Sequence, residues 1–285
     1  MITFGPAGAC DDFHNAGYTK SIEIPHFLHE RGLDAFEYPF GRGVRITPDT
    51  ARSIGDECRR HDIAISVHAP YFINFATEDE TKATNNHRYI KDSLMALRYF
   101  GGDRCVFHPG SPLKLDRRVA MDILLGRVKT LVDELHREGL DDMYLCAETM
   151  GKIAQLGTLD EVIDIVNIDD MILPCIDFGH LNARTLGGIP TKAEYTAIID
   201  RLIDGVGIDK VKKMHIHFSK IEYSKGGEVR HLTFEDKTFG PEPEPLMEVL
   251  SDYALEPRVI CECAGTQSRD ALYMKDYYTG YNNKI

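Results

Sequence analysis

Eight short apolar segments, each followed by a stretch with helical spacing, recur along the chain and limit its fold more than any other feature. The segments are residues 1–4, 35–38, 63–68, 104–108, 143–148, 171–176, 211–217 and 258–263. Continuous apolar runs of this length are typical of parallel strands buried on both faces. Eight strand–helix units without a low-complexity linker predict an α/β fold of the (β/α)₈ barrel type, with residues 1–285 forming a single domain.

The cysteines and the apolar segments of the chain indicate the cellular compartment in which the protein works. The seven cysteines are odd in number and lie mostly in apolar segments, which favours reduced, buried thiols. The chain opens directly as a strand with no basic leader, and no apolar run is long enough to span a bilayer. We therefore expect a cytoplasmic protein with no membrane partner.

The formal net charge of -12 argues against nucleic acid as a partner, because phosphate binders normally carry a basic surface. Divalent ions bound to carboxylates would reverse the sign locally. The charge alone therefore does not exclude a phosphate-containing substrate.

Metal-capable side chains stand at the carboxyl ends of seven consecutive predicted strands. They are Glu37, His68, His108, Glu148, Asp177, His180, His215, His217 and Glu262. In a barrel these ends meet at one mouth, and Asp177 and His180 face one point across a predicted turn. So many acids and imidazoles would repel or stay neutral unless cations held them. The sequence thus predicts a metal site at the mouth.

The mixture of ligands limits which metal would bind. It is too rich in nitrogen for calcium or magnesium, which prefer oxygen shells. Zinc fits best, with manganese or iron next. Because the candidates outnumber the ligands of one four-coordinate ion, we expect two to three ions.

Four segments resemble the signature segments of the endonuclease IV (deoxyribonuclease IV) family, a group of xylose-isomerase-like TIM barrels. The segments are residues 67–74, 107–111, 175–180 and 214–220. The resemblance implies a zinc-dependent apurinic/apyrimidinic endonuclease. Such an enzyme cuts double-stranded DNA at the phosphodiester 5′ to an abasic site, as part of base excision repair. We expect no obligate protein partner and a monomer.

The resemblance also implies a ligand set for each ion. It gives His68, His108 and Glu148 to one ion, Glu148, Asp177, His215 and Glu262 to a second, and His180 and His231 to a third. The Asp that accompanies His231 in the family is Val229 here, with Glu228 beside it. His217 stands where the family has Asn, on the same strand face as His215. Glu148 and Glu262 are the expected catalytic residues.

Substrate contacts are expected around these ligands. Tyr71 and Asn74 match family positions near the flipped-out sugar, and a nucleotide that lacks its base leaves the helix at low cost. His217 is a further mouth-lining residue, and Arg42 and Lys220 are basic residues placed to contact phosphates.

Two other functions remain open from the sequence. A sugar or sugar-phosphate isomerase or epimerase is compatible with the same barrel, because fold does not determine function. A carboxylate at Glu37 is also found in the sugar-isomerase relatives. The third alternative is a non-catalytic binder, which would have no need of a carboxylate shared between ions.

Overall fold

The computed structural model describes residues 1–283, and its central element is a nearly closed ring of eight parallel strands. The barrel strands are β1 Thr3–Pro6, β2 Ala35–Pro39, β3 Ala64–His68, β4 Arg104–Phe107, β5 Tyr144–Glu148, β6 Ile172–Asp177, β7 His215–Phe218 and β10 Arg258–Cys261; β8 Lys220–Ser224 and β9 Gly227–Leu232 form an antiparallel hairpin between the last two. Around the ring the order is β1-β10-β7-β6-β5-β4-β3-β2. The predicted (β/α)₈ TIM barrel is confirmed. The single-domain expectation ran to residue 285, so its last two residues lie outside the described part.

The ring closes between β1 and β2, where the backbones approach very closely. Ala7 bridges to Glu37, and the Gly8 amide donates to the Glu37 carbonyl oxygen at 2.9 Å. A Cβ on Gly5 would lie 1.7 Å from the carbonyl oxygen of Ala35. Closure of the barrel therefore requires the missing side chain at Gly5.

Helices surround the ring. They are α1 Asp11–Asn15, α2 Ile24–Glu30, α3 Pro48–Arg60, α4 Glu80–Phe100, α5 Arg117–Glu138, α6 Leu159–Val166, α7 Phe178–Arg184, α8 Lys192–Val206, α9 Ile208–Lys212, α10 Pro243–Asp252 and α11 Gln267–Asn282, with a 3₁₀ turn at Ser21–Glu23. Their ends follow local chemistry: Thr158 and Glu161 form a capping box on α6, and α5 stops at Gly139, whose φ is 66°. Among the described residues, none of these helices has both the length and the hydropathy to cross a membrane.

Two arginines close the amino-terminal end of the barrel around one acid. Arg258 Nη1 lies 2.8 Å from Asp103 Oδ1, and Arg104 Nη2 lies 3.0 Å from Asp103 Oδ2. Burial would raise the pKa of Asp103, but the two guanidinium charges lower it to about 2. The same guanidinium groups also donate to the backbone carbonyls of Ile65 and Lys213. This cluster holds several strand ends together.

Several segments differ from the sequence prediction. The proline-rich stretch 241–245 contains the first turn of α10; proline fits there because the first N–H groups of a helix have no intrahelical partner. Val211 and Lys212 belong to α9, so β7 begins only at His215. Residues 220–232, which lie outside the eight predicted strands, form the β8–β9 hairpin. The predicted turn after β6 is the first turn of α7, which Asp177 caps.

Candidate metal centre

The carboxyl ends of the strands surround one cavity of about 360 Å³ at the mouth of the barrel. Its lining includes His68, His108, Glu148, His180, His231 and Glu262. These residues come from β3, β5, α7, the β9 strand and the segments that follow β4 and β10. Parallel strands bring them together because each strand ends at the same rim.

The first group of candidate ligands consists of His68, His108 and Glu148. The Nε2 atoms of the two histidines lie 3.2 and 3.1 Å from Oε2 of Glu148. One potential ligand atom from each of the three residues lies within 4.8 Å of the others. Two ligand atoms each about 2.1 Å from one ion are at most about 4.2 Å apart, so small shifts bring this group to zinc distances.

The second group shares Glu148 with the first and adds Asp177, His217 and Glu262. His217 Nδ1 lies 3.1 Å from Glu148 Oε1 and 3.7 Å from Glu262 Oε1. Asp177 Oδ1 accepts the His180 backbone amide at 2.7 Å, whereas its buried Oδ2 lies 3.3 Å from His180 Nδ1 and makes no hydrogen bond among the described residues. A cation would satisfy that oxygen, because a buried carboxylate oxygen without a partner is costly.

The third group consists of His180, Glu228 and His231. Glu228 lies 3.6 Å from His180 Nε2 and 3.9 Å from His231 Nε2, while its neighbour Val229 is exposed. The resemblance implies an Asp at position 229, and in the structure the carboxylate of the preceding residue, Glu228, lies beside the two histidines. The hairpin supplies two members of this group, and α7 supplies the third.

The histidines of these groups are held in an orientation that suits metal binding. Nδ1 of His68, His108 and His180 lies 2.7, 3.2 and 2.9 Å from the backbone carbonyl oxygens of residues 69, 71 and 149. A carbonyl only accepts, so Nδ1 carries a proton and Nε2 is the nitrogen whose lone pair can bind an ion. His231 Nδ1 contacts the Ser219 hydroxyl at 2.9 Å, a group that can donate or accept. Metal-ligating histidines are usually fixed in this way.

Buried charges around Glu148 strongly perturb the protonation of the centre. Burial alone would raise the pKa of Glu148, but the charges of His217 and His108 hold it well below its usual range. Burial would lower the pKa of His68, but its hydrogen bond to Glu148 raises it to about 9. Burial raises the pKa of Asp177, with His180 opposing that shift. The protons of the imidazolium side chains thus compensate the carboxylate charges that a divalent ion would compensate. Metal binding must displace these protons.

His215 lies away from the group to which the resemblance assigns it. Its Nε2 is 3.0 Å from Oε2 of the fully buried Glu37, and His217 occupies the place beside Glu148. Both histidines point into the barrel, because residues two apart share a strand face, but His215 is deeper. Burial lowers the pKa of His215 to about 4. The structure therefore corrects the assignment of the second group from His215 to His217.

The expected substrate contacts are only partly at the mouth. Tyr71 lines the cavity with 55% of its surface exposed. Asn74 instead braces a loop, donating to the Ser111 carbonyl at 3.0 Å and accepting from the Ala76 amide at 3.0 Å. Arg42 lines a separate cavity formed by the segment after β2.

Lys220 is fully buried, and the structure contradicts its assignment to phosphate binding. Its Nζ donates to Glu242 at 2.7 Å and to the Asp236 carbonyl at 2.8 Å. Lys152, which the sequence reasoning missed, lines the mouth. The sequence feature that could have identified Lys152 is its position four residues after the end of β5, in a loop that borders the cavity.

Comparisons with known proteins place this architecture among related chains. A family model described as a xylose isomerase-like TIM barrel matches residues 25–277. An uncharacterized protein of Methanocaldococcus jannaschii is 34% identical over 281 residues, which cover 97% of each chain. A probable endonuclease 4 of Methanosphaera stadtmanae is 26% identical over 160 residues, 55% of each chain.

Solved structures of proteins with different names share the fold. A D-tagatose 3-epimerase-like protein superposes with a TM-score of 0.73 at 20% identity, over 99% of both chains. Endonuclease IV from Thermus thermophilus superposes with a TM-score of 0.68 at 15% identity, over 99% of this chain and 100% of that one. At these identities the likeness shows the barrel and leaves the chemistry to the residues at its mouth.

Proposed function

The chain belongs to the xylose isomerase-like TIM-barrel family, as its motifs predicted, and from that premise we propose that it is a metal-dependent phosphodiesterase that cuts DNA at abasic sites. The observation that carries the proposal is the set of three candidate ligand groups around one mouth, two of which share Glu148. Zinc is the proposed metal, because each group combines imidazole with carboxylate. Divalent ions held there would act as Lewis acids on a phosphate ester.

The residues of the chain have separate tasks in this proposal. Glu148 is buried and joins the first two groups, so its task is to hold ions close together. Glu262 is partly exposed at the cavity and can meet a substrate as well as an ion. The exposed ring of Tyr71 offers a surface for stacking, and Lys152 offers a positive charge for a phosphate.

The acidic character of the chain is consistent with this proposal once the centre is loaded. Five carboxylates lie in the ligand groups or directly behind them: Glu37, Glu148, Asp177, Glu228 and Glu262. Their negative charge contributes to the formal -12 of the chain. Three divalent ions would more than compensate these five charges, so the mouth would attract a phosphate despite the net charge.

A second candidate, a sugar epimerase, is favoured by one specific feature. The group of Glu148, Asp177, His217 and Glu262 is by itself a complete four-ligand site for a single ion. An enzyme of that kind would need neither the His68–His108 pair nor the hairpin group. The number of bound ions therefore separates the two candidates.

A nicking assay with metal analysis tests the proposal. We expect two to three zinc ions per purified chain, and cleavage of a duplex that carries a tetrahydrofuran abasic analogue but not of the matched intact duplex. Glu148→Gln and Glu262→Gln should abolish cleavage, whereas Glu138→Gln, at an exposed ion pair on α5, should not change it.

Three results would contradict the proposal. They are cleavage retained in either mouth variant, a single exchangeable manganese or magnesium ion together with ketohexose epimerisation, and stable binding of the abasic duplex without turnover. The last result would favour a non-catalytic binder.

A further inference from the structure

His217 faces the candidate ions through a different nitrogen from that used by the other histidines. His68, His108, His180 and His231 are anchored through Nδ1 and present Nε2 to a carboxylate. His217 is reversed: its Nδ1 faces Glu148, and its Nε2 faces Glu37 on β2. The group in contact with Nε2 of His217 must therefore hold this ring in place, as backbone carbonyls do for His68, His108 and His180.

That contact is Glu37, a fully buried carboxylate on β2. Its Oε1 lies 3.0 Å from His217 Nε2, and its Oε2 lies 3.0 Å from His215 Nε2. The Ser66 hydroxyl donates to Oε2 at 3.1 Å. Both histidine contacts are short, although neither N–H is aligned well enough to count as a hydrogen bond. Unprotonated nitrogens this close to a carboxylate would repel it, so each Nε2 carries a proton.

We propose that Glu37 is a positioning residue that keeps the proton of His217 on Nε2 and so leaves the Nδ1 lone pair to an ion in the Glu148–Asp177–Glu262 group. His215 and Ser66 hold Glu37 in place and bind no ion. The inference rests on the proposed metal centre. A carboxylate behind a ligating imidazole fixes both its tautomer and its orientation, and loss of such a partner typically lowers metal affinity by about 10- to 100-fold.

Two features that the ligand groups leave unexplained follow from this role of Glu37. A charged side chain buried inside a barrel is costly without a partner. Glu37 has three, which are His217, His215 and Ser66. His215, which lies away from the ligand group to which the resemblance assigns it, has the task of holding Glu37 in place.

Zinc titration against a chromophoric chelator tests the proposal. Glu37→Gln should lower zinc affinity at one site by about 10- to 100-fold and leave the other sites unchanged. His217→Gln should lose one ion, whereas His215→Gln should keep the full zinc stoichiometry. Glu161→Gln is the matched control, because Glu161 is also a buried carboxylate but pairs with Arg117 on the outside of the barrel. It should leave every zinc affinity unchanged.

A spectroscopic readout separates positioning from mere structural support. In the ¹⁵N spectrum of the zinc-loaded protein, His217 should show the Nε2–H tautomer, and Glu37→Gln should shift or mix it. Because Glu37 is fully buried, Ser66→Ala is a second, milder variant that should weaken the same site by a smaller factor.

Three results overturn the inference. They are unchanged zinc affinity in folded Glu37→Gln and Ser66→Ala, an unaltered His217 tautomer in Glu37→Gln, and loss of the ion in His215→Gln rather than in His217→Gln. Wild-type protein that binds no zinc would overturn the proposed function as well. If Glu37→Gln binds three zinc ions with wild-type affinity, this inference fails while the proposed function stands.

Discussion

Replacement of Glu148 by Gln should remove two ions at once, because one carboxylate serves two ligand groups. Its Oε2 faces His68 and His108, and its Oε1 faces His217. The substitution reduces the first group from three candidate ligands to two and the second from four to three. A glutamine has nearly the same shape, so the loss measures the carboxylate rather than a cavity.

The size of the effect follows from the energy that a ligand contributes. Structural zinc sites with four ligands are worth roughly 10–16 kcal/mol, or roughly 3 kcal/mol per ligand. That corresponds to a fall in affinity of about 100-fold or more at each of the two sites. The group of His180, Glu228 and His231 does not include Glu148 and should keep its ion.

Zinc content after dialysis against a weak chelator measures this outcome. With three ions bound in the wild type, Glu148→Gln should retain about one ion per chain, whereas Glu228→Gln should retain the other two. Glu138→Gln serves as a surface control. Loss of a single ion in Glu148→Gln, or of none, would show that the carboxylate is not shared and would refute the reasoning.

Three further predictions concern the folded chain. The Asp103 pKa of about 2, below its ordinary 3.8, contributes stability that is present above pH 4 and is lost as the pH falls through 2. Because Asp103 is about half exposed, Asp103→Asn should lower the free energy of unfolding by only about 1 kcal/mol in urea denaturation at pH 7. Gly5→Ala should prevent accumulation of folded protein because its Cβ would collide with the β2 backbone. Gly126→Ala in α5, where the new Cβ meets nothing, should instead stabilise it by about 0.5–1 kcal/mol in thermal denaturation. The pKa of His68 is about 9, so zinc must displace a proton from this side chain at pH 7. Calorimetry in buffers of different ionisation enthalpy should therefore show proton release on zinc binding. The zinc affinity should also rise as the pH approaches 9.

The positions at the mouth could be predicted from sequence because a parallel barrel brings every strand end to one rim. That rule located His68, Glu148 and Asp177 from local pattern alone. It could not decide between His215 and His217, which share a strand face; their depth depends on where β7 begins, and α9 delays that start.

Partners distant in sequence explain the other differences. Lys220 looks like a free cation in the sequence, but Glu242 and the Asp236 carbonyl lie beside it in the fold. Its burial depends on how the chain after the hairpin returns to the barrel. The hairpin itself was missed because its two strands are short and rich in polar residues.

The docking of the hairpin brings Glu228 and His231 to His180 and so completes the third ligand group of the proposed hydrolase. The Glu228 amide donates to the Gly151 carbonyl at 3.1 Å, and a Cβ on Gly227 would lie 2.3 Å from that same oxygen. Gly227→Val should therefore displace Glu228 and His231 from His180 and remove the third ion, while the ions around Glu148 stay bound. Gly226→Val, at a position open to solvent, is the matched control. If abasic-site cleavage falls only in Gly227→Val, the hairpin group takes part in the reaction; if cleavage persists after the third ion is lost, that group is dispensable and the argument for a three-ion hydrolase fails.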